Sequence, residues 1–176
     1  MLKSSSSSSF FVHAILSPPD WQVFENLLRT YANTDLDEPQ LSTIWKDLEN
    51  LQARYAAPVG SSVLLSYQNE GTDQVVGCGA ITGTDDKNTC EIKRLYIQPE
   101  FRGRGGAKVL IHSLLQKAQQ DGYDQAVLST WQSNHTGLAL YKTMGFVPVP
   151  SFKHHPNQQL IYLGRPLQGV LAQALS

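Results

Sequence analysis

Residues 99–108 read Pro-Glu-Phe-Arg-Gly-Arg-Gly-Gly-Ala-Lys, and they connect a predicted strand to the strongest predicted helix of the chain. Three glycines in four positions allow the backbone to turn sharply and to approach a ligand closely. The free N–H groups at the helix start, together with the helix dipole, favour an anion. Arg102, Arg104 and Lys108 add positive charge around these groups. The segment therefore predicts a phosphate or pyrophosphate site, although a glycine-rich turn that binds nothing fits the same residues.

The spacing of the glycines separates this segment from two known phosphate-binding loops. A P-loop has a lysine and then a serine or threonine after its last glycine, whereas Lys108 follows Ala107 and precedes Val109. The dinucleotide-binding fingerprint has its third glycine where this chain has Lys108. A single Arg-Gly-Arg-Gly-Gly copy in a chain of net charge −1 also argues against RNA binding.

Apolar patterning on either side of this loop predicts an α/β (α+β) domain with the order β-α-α-β-β-β-α-β-α-β-β. Short apolar runs separated by turn residues predict strands at 10–16, 62–67, 75–81, 89–97, 125–130, 146–149 and 159–163. Apolar residues at helical spacing predict helices at 17–31, 41–55, 105–121 and 133–144. We expect a mixed, mostly antiparallel sheet with helices on both faces.

Length and composition predict the domain organisation and the cellular compartment of the protein. The chain has 176 residues, 41% of them hydrophobic, which fits one domain. We expect a flexible serine-rich tail at 1–9, one domain at 10–167 and a C-terminal tail at 168–176. Cys78 and Cys90 are too few for a disulfide scaffold, so we expect buried thiols and a cytoplasmic protein, with a bridge between them left open. No apolar run is long enough to span a bilayer, and we expect neither a membrane nor a nucleic acid as partner.

Two further motifs accompany the loop. Arg102, Gly105 and Ala107 satisfy the spacing R-x-x-G-x-[GA], residues 90–99 read CEIKRLYIQP, and residues 134–146 read NHTGLALYKTMGF. Together they resemble the GCN5-related N-acetyltransferase (GNAT) superfamily, and the resemblance extends from Phe10 to Leu167. The CEIKRLYIQP strand further resembles a small, uncharacterised bacterial branch of that superfamily.

The resemblance implies acetyl-CoA (coenzyme A) as cofactor, an amine acceptor that is a small molecule or a protein, and the homodimer usual in the superfamily. We expect no metal, because His154 and His155 have no cysteine or carboxylate ligands beside them. It places the pyrophosphate of the cofactor on Arg102, Gly103, Arg104, Gly105, Gly106 and Ala107. It places the pantetheine arm along Leu95, Tyr96 and Ile97, where this strand splays from the 125–130 strand, and against Asn134. Gly106 departs from the family pattern, which often has an aliphatic residue there.

The resemblance also supplies catalytic candidates. Tyr141 matches the family's usual general acid, and the alternative is an aromatic residue that packs in the core. Glu91 matches a base that acts through water, and the alternative is a paired carboxylate. An N–H group of Ile97 or a neighbour would stabilise the carbonyl oxygen. We expect residues 33–42, the Pro58 loop and residues 149–157 to build the acceptor site, and a non-catalytic CoA-binding sensor is the alternative function.

Overall fold

The structure is a computed structural model that describes residues 8–155 and 159–168, so most of both predicted tails lies outside it. The described part holds seven strands and five α-helices. The strands are β1 (Ser9–Ala14), β2 (Gly60–Asn69), β3 (Thr72–Gly83), β4 (Thr89–Ile97), β5 (Gln125–Trp131), β6 (Val147–Pro148) and β7 (Leu160–Pro166). The α-helices are α1 (Pro18–Thr34), α2 (Ile44–Glu49), α3 (Leu51–Tyr55), α4 (Gly106–Gln120) and α5 (His135–Thr143). Two short 3-10 turns lie at Pro39–Leu41 and Pro99–Phe101.

The seven strands form one sheet in the order β1-β2-β3-β4-β5-β7-β6. Strands β1 to β4 are antiparallel neighbours, β4 and β5 are parallel, and β7 runs antiparallel to both β5 and β6. One parallel pair among antiparallel ones is the mixed, mostly antiparallel sheet that the sequence predicts. The predicted fold class is therefore confirmed.

A separate apolar core covers each face of the sheet. On one face, Leu110, Ile111 and Leu114 of α4 pack with Tyr141 of α5. On the other face, Phe24 and Leu28 of α1, Ile44 of α2 and Leu51 and Tyr55 of α3 form the second core. Helices on both faces are thus confirmed, and β4 lies between the two cores.

Helix α1 begins with a capping box formed by Ser17 and Asp20. The Asp20 N–H donates to Ser17 Oγ at 3.3 Å, and the Ser17 N–H donates to Asp20 Oδ2 at 3.0 Å. These two bonds satisfy backbone donors that a helix start leaves free, and Pro18 and Pro19 occupy first-turn positions that need no N–H donor.

The single helix predicted at 41–55 is wrong, because the chain forms α2 and α3 separated at Asn50. Asn50 has φ −158° and ψ 84°, far from helical values, and its side chain accepts a hydrogen bond from the Ala53 N–H at 3.1 Å. A short amide side chain that bonds to nearby backbone competes with helix continuation. The apolar periodicity continues through Asn50, so the sequence pattern alone conceals the break.

The two cysteines lie on neighbouring strands, and both are free and buried. Burial raises the pKa of the Cys90 thiol to about 12 and raises the pKa of Cys78 further. These are unreactive core thiols, as the simpler interpretation of the sequence expects.

Among the residues described, no helix is both long enough and apolar enough to cross a bilayer.

Candidate functional site

The turn before α4 has the backbone that an anion site requires. Gly103 and Gly105 have φ of 73° and 88°, the left-handed region that favours glycine, and Gly105 is the N-cap of α4. A Cβ atom placed on either residue meets nothing within 4 Å, so the space in front of the turn is open. No side chain caps this helix start. The start of this 15-residue helix therefore has N–H groups without a side-chain cap beside an open turn, which fits a phosphate group.

Gly106 departs from the family pattern for a packing reason. It is buried against the sheet, and a Cβ atom there would lie 3.1 Å from the Phe10 ring and 3.2 Å from Leu65 Cδ2. The start of α4 thus lies closer to β1 and β2 than a larger side chain readily allows. The small residue fixes the position of the turn, although it costs about 1 kcal/mol of helix propensity.

Both arginines of the turn are held by neighbouring groups. Arg102 donates from Nε to the Ile97 carbonyl at 2.7 Å, and its other end forms an ion pair with Asp35, just after α1. Arg104 lies over the rings of Tyr67 and Phe101, at 5.6 and 5.5 Å. Arg102 therefore ties the turn to the end of β4, and its direct contact with a pyrophosphate stays a prediction.

Strands β4 and β5 separate after a short paired stretch. Their ladder joins Thr89 to Gln125, Cys90 to Ala126 and Glu91 to Val127. The register between β3 and β4 shifts between Cys78 and Ala80, and opposite this shift Arg94 has φ 59°. Such a bulge bends the strand. The splay expected from the resemblance is therefore present.

The far end of β4 presents backbone polar groups to this gap. The Gln98 N–H donates to the Val76 carbonyl on β3 at 2.8 Å. Because successive residues of a strand alternate in direction, the N–H and carbonyl of Ile97 point away from β3. The carbonyl of Ile97 indeed accepts from Arg102 instead. The Ile97 N–H is thus a donor directed toward the side of β4 that β5 leaves.

A cleft of about 240 Å³ occupies the gap between β4 and β5. Glu91, Leu95, Asn134 and Tyr141 are the predicted site residues that line it. The remaining lining residues are Tyr31, Leu36, Ser42, Thr43, Ile92, Lys93, Arg94, Leu128, Ser129, Thr130, Trp131, Lys153, His154, His155 and Leu160. The structure thus brings together the two catalytic candidates and two of the cofactor candidates.

The other cofactor candidates lie outside this lining. The side chain of Tyr96 is 4% exposed and packs in the core beside α1, and Ile97 packs in the core beside α4. These two residues therefore offer backbone rather than side-chain groups. The remaining cofactor candidates, residues 102–107, form the turn between the end of β4 and the start of α4.

Two of the three predicted acceptor segments reach the cleft. Leu36 and Ser42 come from the 33–42 segment, and Lys153 to His155 come from the 149–157 segment. The Pro58 loop does not line this cleft. That loop leads into β2, which β3 separates from β4, and its Val59 lines a different cavity of about 380 Å³ beside α2 and α3.

Tyr141 lies at the wall between core and cleft. Its side chain is 8% exposed, and its ring centroid lies 5.9 Å from that of Phe146. Burial, with a smaller contribution from Tyr31, raises the pKa of its phenol to about 12. Tyr141 thus packs in the core and also lines the cleft, and its role as general acid stays a prediction. The phenol is protonated at neutral pH.

Glu91 is a paired carboxylate. Its side chain accepts a hydrogen bond from Nζ of Lys153, whose ammonium also lies 5.5 Å from the Phe152 ring centroid. Lys153 was missed at the sequence level, because 62 residues separate the partners and no pattern links them. The carboxylate still lines the cleft, so the pairing leaves its predicted role as base open.

Asn134 connects the end of β5 to the start of α5. Its Oδ1 accepts from the Gly137 N–H at 3.0 Å, and its Nδ2 donates to Thr130 Oγ1 at 2.9 Å. A Cβ atom at Gly137 would lie 2.3 Å from Asn134 Nδ2, so the cap requires glycine there. Asn134 therefore fixes the helix that carries Tyr141, and its contact with a pantetheine arm stays a prediction.

A buried ionic cluster behind the cleft was also missed at the sequence level. Arg94 Nη2 lies 2.6 Å from Asp47 Oδ2, and Asp47 is 1% exposed. Arg54 Nε lies 3.2 Å from the other carboxylate oxygen, and Tyr55 donates its hydroxyl to Asp47. The available signal was Lys93-Arg94, two adjacent cations inside a largely buried strand. The described residues hold no cluster of three or more histidine, cysteine, aspartate or glutamate side chains placed to bind a metal.

Comparison with known proteins gives a consistent result. The model of the acetyltransferase (GNAT) family matches residues 21–146. An uncharacterised N-acetyltransferase of Schizosaccharomyces pombe is 28% identical over 156 residues, which cover 89% of this chain and 94% of that protein.

Two solved structures show the same fold. A GNAT-family acetyltransferase from Staphylococcus aureus superposes with a TM-score of 0.70 at 16% identity, covering 91% of this chain and all of that one. The PaiA N-acetyltransferase of Thermoplasma acidophilum, solved in complex with coenzyme A, gives a TM-score of 0.65 at 20% identity, covering 90% and 99% of the two chains. The family match covers the loop, the splayed strands and the α5 motif together, and the chain belongs to the GNAT family of acetyltransferases.

Proposed function

We propose that this chain transfers an acetyl group from acetyl-CoA to a primary amine, which attacks the thioester directly. The observation that carries the proposal is the cleft between β4 and β5, where a protonated, buried Tyr141 and the Glu91 carboxylate line one space. Acetyl-CoA supplies the acetyl group as a thioester, which is activated toward attack by an amine.

The turn at 102–107 would bind the pyrophosphate of the cofactor. The surroundings of Gly103 and Gly105 are open, and the N–H groups and dipole at the start of α4 stabilise negative charge. Arg104 adds a positive charge that is already positioned by the rings of Tyr67 and Phe101. Because these groups are fixed before binding, little ordering is needed when the anion arrives.

The end of β4 would orient and polarise the reacting carbonyl group. The Ile97 N–H points away from β3, so it is free to donate to an oxygen on which negative charge develops. Arg102 keeps this part of the strand in place through its bond to the Ile97 carbonyl. Removing one donor of this kind from an enzyme costs about 100- to 1,000-fold in rate.

Tyr141 and Glu91 would move the protons. An alkyl ammonium has a pKa of about 10, so the acceptor must lose a proton before it attacks. The Glu91 carboxylate, which Lys153 holds in place, would take that proton through a water molecule. Tyr141, whose pKa is raised to about 12, keeps its proton at neutral pH and holds it where the sulfur leaves.

The proposal is tested by release of the free CoA thiol from acetyl-CoA in the presence of a panel of amines. The panel contains amino acids, polyamines, aryl alkyl amines and short peptides, and mass spectrometry identifies the acetylated product. We expect amine-dependent release that exceeds hydrolysis. Saturable CoA binding without release for any amine would instead establish the non-catalytic CoA-binding sensor.

A further inference from the structure

Lys93 differs from the other cations that line the cleft. Arg94 is paired with Asp47, and Lys153 is paired with Glu91. Lys93 is half-buried as a residue, and its ammonium group forms neither an ion pair nor a hydrogen bond within the part of the chain that the structure describes. Lys93 lines both the cleft and the cavity beside α2 and α3, so its side chain lies between the two.

Asp47 and Glu91, the two carboxylates whose negative charges act on Lys93, are already engaged by other cations. Glu49 lines the neighbouring cavity beside α2 and α3 but not the cleft. Asp47 accepts from Arg94 and Tyr55 on one oxygen and lies against Arg54 on the other. Glu91 accepts from Lys153, and it is the one carboxylate among the cleft-lining residues, all of which belong to the described ranges. The cleft therefore has a surplus of positive charge where Lys93 lies.

This surplus has an energetic consequence. Burial, and next the nearby Arg94 guanidinium, lower the pKa of the Lys93 ammonium. A partly desolvated cation beside a second cation is stabilised by an anion that enters the same space. A second amino group on a ligand would be repelled there, as would the ammonium of a polyamine arm.

We propose that the acceptor is a small amine that also carries a carboxylate, such as a free amino acid, and that Lys93 binds this carboxylate. The inference rests on the proposed acetyl transfer and names its substrate class. In the reaction the amine nitrogen bonds to the acetyl carbon and the carbon–sulfur bond breaks. The ammonium form of the acceptor gives up two protons, one of which ends on the CoA thiol and the other in solvent.

The position of Lys93 agrees with an acceptor of this kind. Lys93 lies on β4 two residues from Glu91, and side chains two residues apart on a strand share a face. A carboxylate on Lys93 would thus place the amine of an α-amino acid on the face that carries the proposed base.

The test compares amino acids with their C-terminal amides, which keep the amine and lose the charge. We expect kcat/KM of the wild type to favour the acid. In Lys93→Met the value for the acid should fall by about 10- to 100-fold, as expected for loss of one hydrogen bond to a charged group, with the amide little changed. Lys93→Arg should retain part of the preference. Lys87→Met, an exposed lysine in the turn between β3 and β4 that lines neither the cleft nor the cavity beside α2 and α3, is the matched control and should change neither value.

A binding measurement keeps this inference separate from the activity. N-acetyl amino acids and their amides are titrated into wild type and Lys93→Met, with thermal stabilisation as the readout. Stronger stabilisation by the acid, lost in Lys93→Met, supports the carboxylate site even if turnover is absent. Equal stabilisation by acid and amide, preferred acetylation of polyamines or peptide amides, or an equal loss for both ligands in Lys93→Met would overturn it.

Discussion

Arg94 on β4 donates from both Nε and Nη2 to one oxygen of Asp47 on α2, at 2.8 and 2.6 Å. The same Nη2 donates to Thr43 Oγ1 at 2.7 Å, and Thr43 lines the cleft. Asp47 is 1% exposed, so the pair is shielded from water. The bulge of β4 is therefore attached through Asp47 to the helices that form one wall of the cleft.

Replacing Asp47 with asparagine should destabilise the protein strongly. The substitution keeps the side-chain volume but leaves the Arg94 charge in a buried position without its carboxylate. Removing one partner of a buried ion pair typically costs about 3–5 kcal/mol of unfolding free energy. Urea unfolding measures this loss. Arg29→Ala, which breaks an exposed pair with Glu25 on α1, is the control and should cost less than about 0.5 kcal/mol. Equal losses in the two variants would show that the buried pair has no special role.

Strand β4 shows how far the sequence predicts this fold. Its bounds, Thr89–Ile97, agree with the prediction because its apolar run ends at clear turn residues. The bulge within it could not be predicted, since Arg94 takes φ 59° although no glycine marks the position. That conformation is retained because Asp47 and Thr43 hold the Arg94 guanidinium. These contacts span 47 and 51 residues, beyond the reach of local patterns.

The candidate site also contains some features that the sequence predicts and others that it does not. The turn at 102–107 and the cap at Asn134 could be predicted, because glycine spacing and a capping residue are local signals. Lys153 and Lys93 could not, because their importance depends on which carboxylates lie nearby in space. The break at Asn50 was missed since apolar periodicity outweighs a single amide in any local pattern.

Gly105→Ala should weaken cofactor binding beyond its effect on stability. Gly105 has φ 88°, so alanine introduces backbone strain of about 1–2 kcal/mol. Gly71→Ala is the matched control, because Gly71 has φ 82° and equally open surroundings in the β2–β3 turn, away from the site. Both variants should lose similar stability, while only Gly105→Ala loses about tenfold or more in CoA affinity. Similar CoA affinities in the two variants would exclude the turn from the binding site.

Substitutions at Asn134 and at Gly137 should both disrupt the cap of α5 and lower the stability of the protein. Asn134→Ala removes the helix cap and should cost about 1 kcal/mol, and Gly137→Ala should cost at least as much because its methyl group displaces the Asn134 amide. Asn134→Ser keeps a capping oxygen and should restore most of the stability. Thermal denaturation of the three variants checks the order. Loss of CoA affinity in Asn134→Ser at unchanged stability would in addition establish the contact with the pantetheine arm.

Tyr141→Phe should slow turnover without weakening cofactor binding. Loss of a positioned proton donor typically costs about 100- to 10,000-fold in rate. Steady-state kcat and the Kd of CoA are measured together, and the Kd should stay within about threefold, less than 1 kcal/mol. Tyr123→Phe, another partly buried tyrosine that lies outside the cleft lining, is the control. An unchanged kcat in Tyr141→Phe would remove this residue from the acid role.

The raised pKa of Tyr141 also predicts how stability depends on pH. Burial raises its pKa to about 12, against about 10 in the unfolded chain, so between these values the folded state binds more protons. Its contribution to stability is therefore fully present below pH 10 and is lost as pH rises toward 12. The unfolding free energy of wild type should fall more steeply between pH 10 and 11 than that of Tyr141→Phe. Parallel curves for the two proteins would contradict the assignment.

The binding of acetyl-CoA by the 102–107 turn and the β4–β5 cleft is tested most directly by calorimetric titration of acetyl-CoA into the wild-type protein. We predict one saturable site per chain, and at 100-fold excess over Kd a gain of about 2.7 kcal/mol in unfolding free energy. ATP and NAD should bind at least tenfold more weakly, because they lack the pantetheine arm that the cleft would accept. A folded protein that shows no binding heat and no stabilisation with millimolar acetyl-CoA would contradict the assignment of this site.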